Sequence, residues 1–222
     1  MRLLPLLLLI TAACAGVRTV QPAPEPTPQA PPPEAPPAQP PHAPAFELVR
    51  NDVVLAQVHK MTATPGARQT LRAGLENRRN HLKAVHAALA AEGVPLGLDA
   101  IPLIETGYEN LDGGKNGKGL WQFVTNTAAH YGLRVTSEID ERMDPRLATA
   151  AAARYLRDLH RELGEWPLVL AAYAQGGSFV RAAIKREKTR DVWELIRRGA
   201  VGNYAAKVMA AALLIEDPST GV

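Results

Sequence analysis

The sequence is most informative at first through what it lacks. It has one cysteine, Cys14, so the chain cannot form an internal disulfide. Its formal charge of +3 is spread along the chain without a basic run interleaved with aromatics, which does not favour nucleic-acid binding. No stretch of useful length alternates apolar and polar residues, so the folded part is predicted to be all-α. The apolar run Leu3–Ile10 is too short to span a bilayer.

The start of the chain predicts export. A charged Met1-Arg2 precedes the apolar run, and small residues follow it, so residues 1–13 have the pattern of a signal peptide. Ile10-Thr-Ala-Ala-Cys14 resembles the bacterial lipoprotein box, although Thr11 occupies the usual aliphatic position. This resemblance implies lipidation at Cys14 and a membrane anchor on the periplasmic side of the bacterial cell envelope, at the outer membrane in a Gram-negative cell. Cleavage after Ala15 would instead release a soluble protein.

Residues 14–45 are predicted to be a disordered Pro-rich tether. Twelve prolines lie between Gln21 and Pro44, among Ala, Glu, Gln and Thr. Such a composition buries too little apolar surface to fold and favours an extended polyproline conformation. Pro-rich segments also bind partner domains, but this one has no basic anchor residues. The composition therefore favours a spacer.

Two helices are predicted in an N-terminal extension over residues 46–96. Apolar residues spaced from Val53 to Met61 indicate a short helix that ends before Pro65, and those from Leu71 to Leu89 indicate a longer amphipathic one. Further along, Asp144-Pro145 is the pattern of a helix start, and Thr125 is predicted to cap another helix. Asp140 and Arg142 are interpreted as a structural pair.

Glu105 is the main candidate for catalysis. Leu98, Ile101 and Ile104 fall at helical spacing before it, so Glu105 should lie in the last turn of a short buried helix. Apolar surroundings and the negative end of the helix dipole both favour the protonated acid there. A carboxyl that stays protonated near neutral pH can act as a general acid. The alternative is an ordinary glutamate with its carboxyl in water.

Four motifs follow Glu105 in a specific order. They are Gly119-Leu-Trp-Gln122-Phe, Thr127-Ala-Ala-His-Tyr-Gly132-Leu, Asp140-Glu-Arg142-Met-Asp144-Pro145 and Ala171-Ala-Tyr173. Together with Glu105 they resemble the soluble-type (SLT) and membrane-bound D-type lytic transglycosylases, whose fold is similar to goose-type lysozyme. The resemblance covers roughly residues 82–215. It implies a lysozyme-like SLT domain over residues 97–217.

The resemblance also implies a chemistry. Lytic transglycosylases cleave the bond between N-acetylmuramic acid and N-acetylglucosamine in peptidoglycan glycan strands, forming 1,6-anhydro ends with one glutamate and no metal or cofactor. Carried over by position, Glu105 is the acid and then the base. Gln122 and Tyr173 would contact the glycan, and Tyr204, in Asn203-Tyr-Ala-Ala-Lys207, matches a later family tyrosine. Gln122 and Tyr173 are expected to line the same groove as Glu105.

Several positions depart from the family pattern. Gly113 or Gly114 stands where the family has serine, Val124 and Thr125 where it has methionine and proline, and Ala174 where it has asparagine. Each change removes a polar or soft contact to substrate. The sequence therefore leaves two hypotheses: an active lytic transglycosylase, and a catalytically weakened module that binds peptidoglycan as an envelope scaffold.

Overall fold

A computed structural model describes residues 44–113, 117–217 and 219. These residues form α-helices, short 3-10 turns and isolated β-bridges, and no β-strand, which confirms the all-α prediction. The helices are α1 Asp52–Thr62, α2 Pro65–Ala91, α3 Ala100–Thr106, α4 Thr125–His130, α5 Pro145–Leu163, α6 Trp166–Gln175, α7 Gly177–Glu187, α8 Val192–Arg197 and α9 Tyr204–Glu216. The predicted signal peptide, nearly all of the predicted tether, and Gly114 lie outside the described residues. None of the described helices is long and apolar enough to cross a membrane.

Local sequence explains several helix ends. Asp144 caps α5, because its side chain accepts hydrogen bonds from the backbone amides of Arg146 and Leu147, as the Asp-Pro pattern predicts. The prediction for Thr125 is wrong. Val124 occupies the N-cap position of α4 without a side-chain bond, and the Thr125 hydroxyl accepts instead from the buried guanidinium of Arg142, at 3.2 Å. A distant buried cation therefore takes the hydroxyl that would have capped the helix.

The core includes long consecutive runs of buried side chains in α6 and α9. Leu168 to Ala172 of α6 and Ala205 to Leu214 of α9 include mostly small or aliphatic residues that are shielded from water, with only Lys207 half-buried. Trp121 is completely buried beside them, and its indole nitrogen donates to the Thr149 hydroxyl at 2.9 Å. These packed helices provide a rigid base for the segment around Glu105.

The N-terminal helices are part of this packing. Val85 and Leu89 of α2 belong to the main buried cluster, and Val54 and Val58 of α1 pack with apolar residues of α9 in a second one. The 3-10 turn Leu96–Asp99 crosses the predicted boundary between residues 96 and 97. The extension thus packs into both buried clusters together with residues of the predicted SLT domain.

A buried carboxylate joins α2 to the turn before α3. Asp99 is 1% exposed, and its Oδ2 accepts hydrogen bonds from the guanidinium of Arg78 and lies 2.8 Å from Nε2 of His86. The Tyr108 hydroxyl donates to the Asp99 backbone carbonyl at 2.6 Å. Because a buried charge is stable only when paired, these contacts fix the start of α3 relative to α2.

Candidate active site

Glu105 lies in the last turn of α3. The helix ends directly after it, because Gly107 adopts a left-handed conformation with φ of 59° and its amide bonds to Leu103 and Pro102 carbonyls. Burial raises the pKa of Glu105 above its ordinary value, while a hydrogen bond from Tyr204 and the positive charge of Lys207 oppose that rise. The net direction of the pKa shift is upward, as the position of Glu105 predicts.

Tyr204 makes the closest polar contact with Glu105. It is the first residue of α9, and its hydroxyl donates to the Glu105 Oε1 atom at 2.5 Å. With Oε1 accepting this bond, Oε2 is the oxygen left to carry the proton of the neutral acid. Lys207 is one helical turn further along α9, which brings its charge to the same side of the helix as Tyr204.

Tyr173 belongs to the same group but does not bond to Glu105. Its ring stacks on that of Tyr204, with centroids 6.1 Å apart, and its hydroxyl donates to the Trp121 backbone carbonyl at 2.6 Å. The ring of Tyr155 lies 5.5 Å from that of Tyr173, in a tilted arrangement. The structure therefore brings Tyr173 next to the candidate acid through Tyr204.

Gln122 lies in a loop whose backbone is tightly packed. The residue has a positive φ of 49°, and its side-chain nitrogen donates to the backbone carbonyls of Gly119, at 2.8 Å, and Leu111, at 3.3 Å. Gly119 has a φ of 76°, and a Cβ there would lie 1.9 Å from the Arg142 carbonyl oxygen. Only glycine fits at that position.

The departure at Gly113 has a geometric reason. A Cβ at this position would lie 2.4 Å from Oε1 of Gln122 and 2.6 Å from the backbone oxygen of Gly117. The second of these atoms is backbone and cannot move aside as a side chain can. The loop in this conformation excludes the serine that the resemblance leads one to expect at residue 113.

Glu105 opens into a groove of about 750 Å³, within the usual size range of ligand sites. The groove is lined mainly by the N-terminal half of α2, the end of α3 and the residues after it, including Glu109 and Leu111. Gln122 and Tyr173, which are expected to line the groove, are not among the described residues that border it. Gln122 bonds to the carbonyl of Leu111, which borders the groove, and Tyr173 stacks on Tyr204, which in turn bonds to Glu105.

Two residues near the site were not singled out from the sequence. Asn77 of α2 donates from its side-chain amide to the Gly107 carbonyl at 3.1 Å, directly after the Glu105 turn. Gln175, the last residue of α6, accepts from the Gly202 amide at 2.7 Å, just before Tyr204. Asn77 lies among charged residues that resemble a solvated helix face, so no local signal distinguishes it. Gln175 comes two residues after Tyr173, and this closeness to the tyrosine motif was the one sequence signal that could have pointed to it.

Comparison with known proteins gives consistent matches. Residues 84–196 match the family described as the transglycosylase SLT domain. The membrane-bound lytic murein transglycosylase D of Escherichia coli strain K12 is 31% identical over 130 residues, which are 56% of this chain and 29% of that protein. The protein of the same name from strain O6:H1 matches equally. A putative tributyltin chloride resistance protein of Alteromonas sp. strain M-1 is 29% identical over 99 residues, 44% of this chain and 48% of that protein. The chain thus spans less than a third of the two E. coli relatives and about half of the third.

Proposed function

The chain belongs to the transglycosylase SLT family, and from this premise we propose that it is a peptidoglycan lytic transglycosylase. The observation that carries the proposal is Glu105, a carboxyl with a raised pKa that opens into a large groove and accepts a hydrogen bond from Tyr204. The proposed substrate is the β-1,4 bond between N-acetylmuramic acid and N-acetylglucosamine in peptidoglycan glycan strands.

In the proposed mechanism, Glu105 is the only acid and base. Its Oε2 proton passes to the glycosidic oxygen as the bond from that oxygen to C1 of the muramic acid breaks. The carboxylate then takes the proton of the 6-hydroxyl of the same sugar, whose oxygen forms a new bond to C1. The products are a 1,6-anhydro end and a free 4-hydroxyl, and no water is consumed. The tethered hydroxyl has a high effective concentration, so no second carboxylate is required.

Tyr204 supports the second half of this reaction. Its hydroxyl bond and the charge of Lys207 both favour the ionised form of Glu105, which is the form left after proton donation. Burial favours the neutral form that begins the reaction. The neutral and the ionised form, which an acid that later acts as a base must both adopt, are thus each favoured by part of the surroundings of Glu105.

The test is digestion of purified peptidoglycan sacculi, with products identified by mass spectrometry. We expect anhydro-muropeptides from the wild type and a loss of roughly 10²–10⁴-fold or more in Glu105→Gln, which keeps the shape of the side chain without its transferable proton. Glu109→Gln is the matched control, because Glu109 is an exposed carboxylate in the same groove. Products heavier by one water would indicate hydrolysis, and wild-type rates in Glu105→Gln would contradict the assignment.

A second candidate is a module that binds peptidoglycan without cleaving it. It is favoured by the internal bonds of two predicted substrate contacts, because the Gln122 amide and the Tyr173 hydroxyl both donate to backbone carbonyls. Binding to sacculi without product release, in both wild type and Glu105→Gln, would support this candidate over the enzyme.

We further propose that the protein is anchored in the envelope by lipid at Cys14, with residues 14–45 as the tether. A lipidated N-terminus with more than one acyl chain holds a protein firmly, whereas a single chain does so only marginally. Cys14→Ala should therefore move the protein from the membrane fraction to the soluble fraction of cells. Unchanged retention would point to another anchor.

A further inference from the structure

The groove at Glu105 has one wall that the family match does not include. The match begins at residue 84, whereas the lining residues of α2 lie between Ala67 and Asn77. We infer that this wall binds the uncharged sugar rings of a β-1,4-linked amino-sugar chain and so extends the substrate site beyond the SLT match. The inference rests on the proposed function, since it gives a ligand to the groove in which Glu105 is the proposed acid.

The helical register of α2 produces a continuous wall. Thr70, Ala73, Gly74 and Asn77 recur every three or four residues and so lie on one face of the helix, which borders the groove. At Gly74, α2 closely approaches α3, because a Cβ there would lie 2.5 Å from Cδ1 of Leu103 and 3.2 Å from the Gly107 Cα. The wall is therefore connected to the Glu105 turn at its deep end.

Asn77 strengthens that connection and adds polar groups. One of its amide hydrogens bonds to the Gly107 carbonyl. Its side-chain oxygen has no partner within the described residues and can accept from a sugar hydroxyl. Gln69, exposed further along the wall, likewise has a side-chain amide without a hydrogen bond in the described part of the chain. Amides of this kind both donate and accept, which suits hydroxyl and acetamido groups.

The remaining lining residues supply apolar surface. Met61, Leu71, Ile104 and Leu111 border the groove, and Leu111 is 43% exposed despite its size. Apolar side chains together with a few amides are the usual lining of a small-ligand site. A pyranose ring presents a matching surface, because its axial C–H groups are apolar and its rim carries the hydroxyls.

The charge of the groove selects against an anionic ligand. None of the described lining residues is basic, and its two charged residues, Glu105 and Glu109, are acidic. The carboxylates of a peptide would find no cation on this wall and would be repelled by these side chains if ionised. The uncharged sugar rings are therefore the part of the substrate that fits, and their binding should depend little on salt.

The test uses the full chain with Glu105→Gln, so that binding is measured without cleavage. The probe is a β-1,4-linked hexamer of N-acetylglucosamine, titrated by calorimetry at low and high salt. We expect Ala73→Trp, which places a large ring in the groove, to weaken binding at least about tenfold, or ~1.4 kcal/mol. Ala87→Trp is the matched control, since Ala87 is also an exposed alanine of α2 but does not line the groove, and it should change binding less than about twofold.

A second variant avoids adding bulk. Gln69→Ala removes only an exposed amide, and we expect it to weaken hexamer binding by about threefold to tenfold, the effect of one net hydrogen bond. Unchanged hexamer affinity in both Ala73→Trp and Gln69→Ala would overturn the inference, as would binding that high salt abolishes.

Failure of this inference can be told from failure of the proposed function. In a chain with Glu105 intact, cleavage of sacculi with an unchanged KM in Ala73→Trp would reject the α2 wall and leave the enzyme proposal standing. If the wild type does not cleave sacculi, but Ala73→Trp abolishes hexamer binding in the Glu105→Gln chain, then the enzyme proposal is rejected and the α2 wall stands.

Discussion

Replacing Tyr204 with phenylalanine tests how the protein controls the protonation of Glu105. The change removes one oxygen and with it the 2.5 Å bond to Glu105 Oε1, while the ring that stacks on Tyr173 is kept. That bond lowers the pKa of Glu105, so without it burial is less opposed and the pKa rises further. Hydrogen bonds to charged groups contribute about 1.5–3 kcal/mol, and one pKa unit corresponds to about 1.4 kcal/mol. Because Glu105 is only half-buried, we expect the low end, a rise of about one unit.

The assay is the initial rate of anhydro-muropeptide release from sacculi as a function of pH. If Glu105 must be protonated to begin the reaction, kcat/KM falls as the pH rises through the pKa of Glu105. Tyr204→Phe should therefore shift this fall to a higher pH, by about one pH unit. Tyr155→Phe is the control, since it deletes the same atom from another ring that contacts Tyr173 but has no bond to Glu105. If the pH at which kcat/KM falls is unchanged or lower in Tyr204→Phe, the reasoning is refuted.

Three further predictions concern stability and the surroundings of the acid. Because the pKa of Glu105 in the fold lies above its ordinary value of 4.5, the fold loses stability as pH rises from about 4.5 through the folded pKa. Glu105→Gln should therefore raise the melting temperature near neutral pH and have less effect below pH 4.5. Ala174→Asn should raise turnover on sacculi by up to about tenfold if the added amide reaches the glycan; a decrease would mean that the site is adapted to alanine. Gln175→Ala, which frees the Gly202 amide, should lower kcat by about threefold to tenfold with little change in KM, whereas Gln175→Glu keeps an acceptor oxygen and should retain kcat. Equal effects of the two Gln175 variants would argue against this bond.

Features that depend on neighbouring residues in the sequence were predictable. The Asp144-Pro145 pair gives the start of α5 because capping uses atoms only two and three residues away. Asp140 pairs with Arg142 as interpreted, through two bonds within one short turn. The end of α3 next to Glu105 follows from Gly107, whose left-handed conformation requires no distant partner.

Features set by distant residues were not predictable in the same way. The Thr125 hydroxyl bonds to Arg142 rather than capping α4, because packing brings that guanidinium to it. The resemblance pointed to two tyrosines, Tyr173 as a glycan contact and Tyr204 as a later family tyrosine, and the sequence did not show which of them bonds to the acid. Which of two stacked rings meets Glu105 depends on how α9 packs against α3, and periodicity carries no information about that.

The packing of the first described helix against the last one has a consequence for folding order. Val54 and Val58 of α1 are buried with Met209 and Leu213 of α9, across roughly 150 residues of chain. Such a contact closes a long loop, whose entropy must be lost before the packing energy is gained. Tyr204 reaches Glu105 across 99 residues on the same last helix. The acid therefore acquires its hydrogen-bond partner only when α9 docks, so a chain still being synthesised has an incomplete site until α9 has been made.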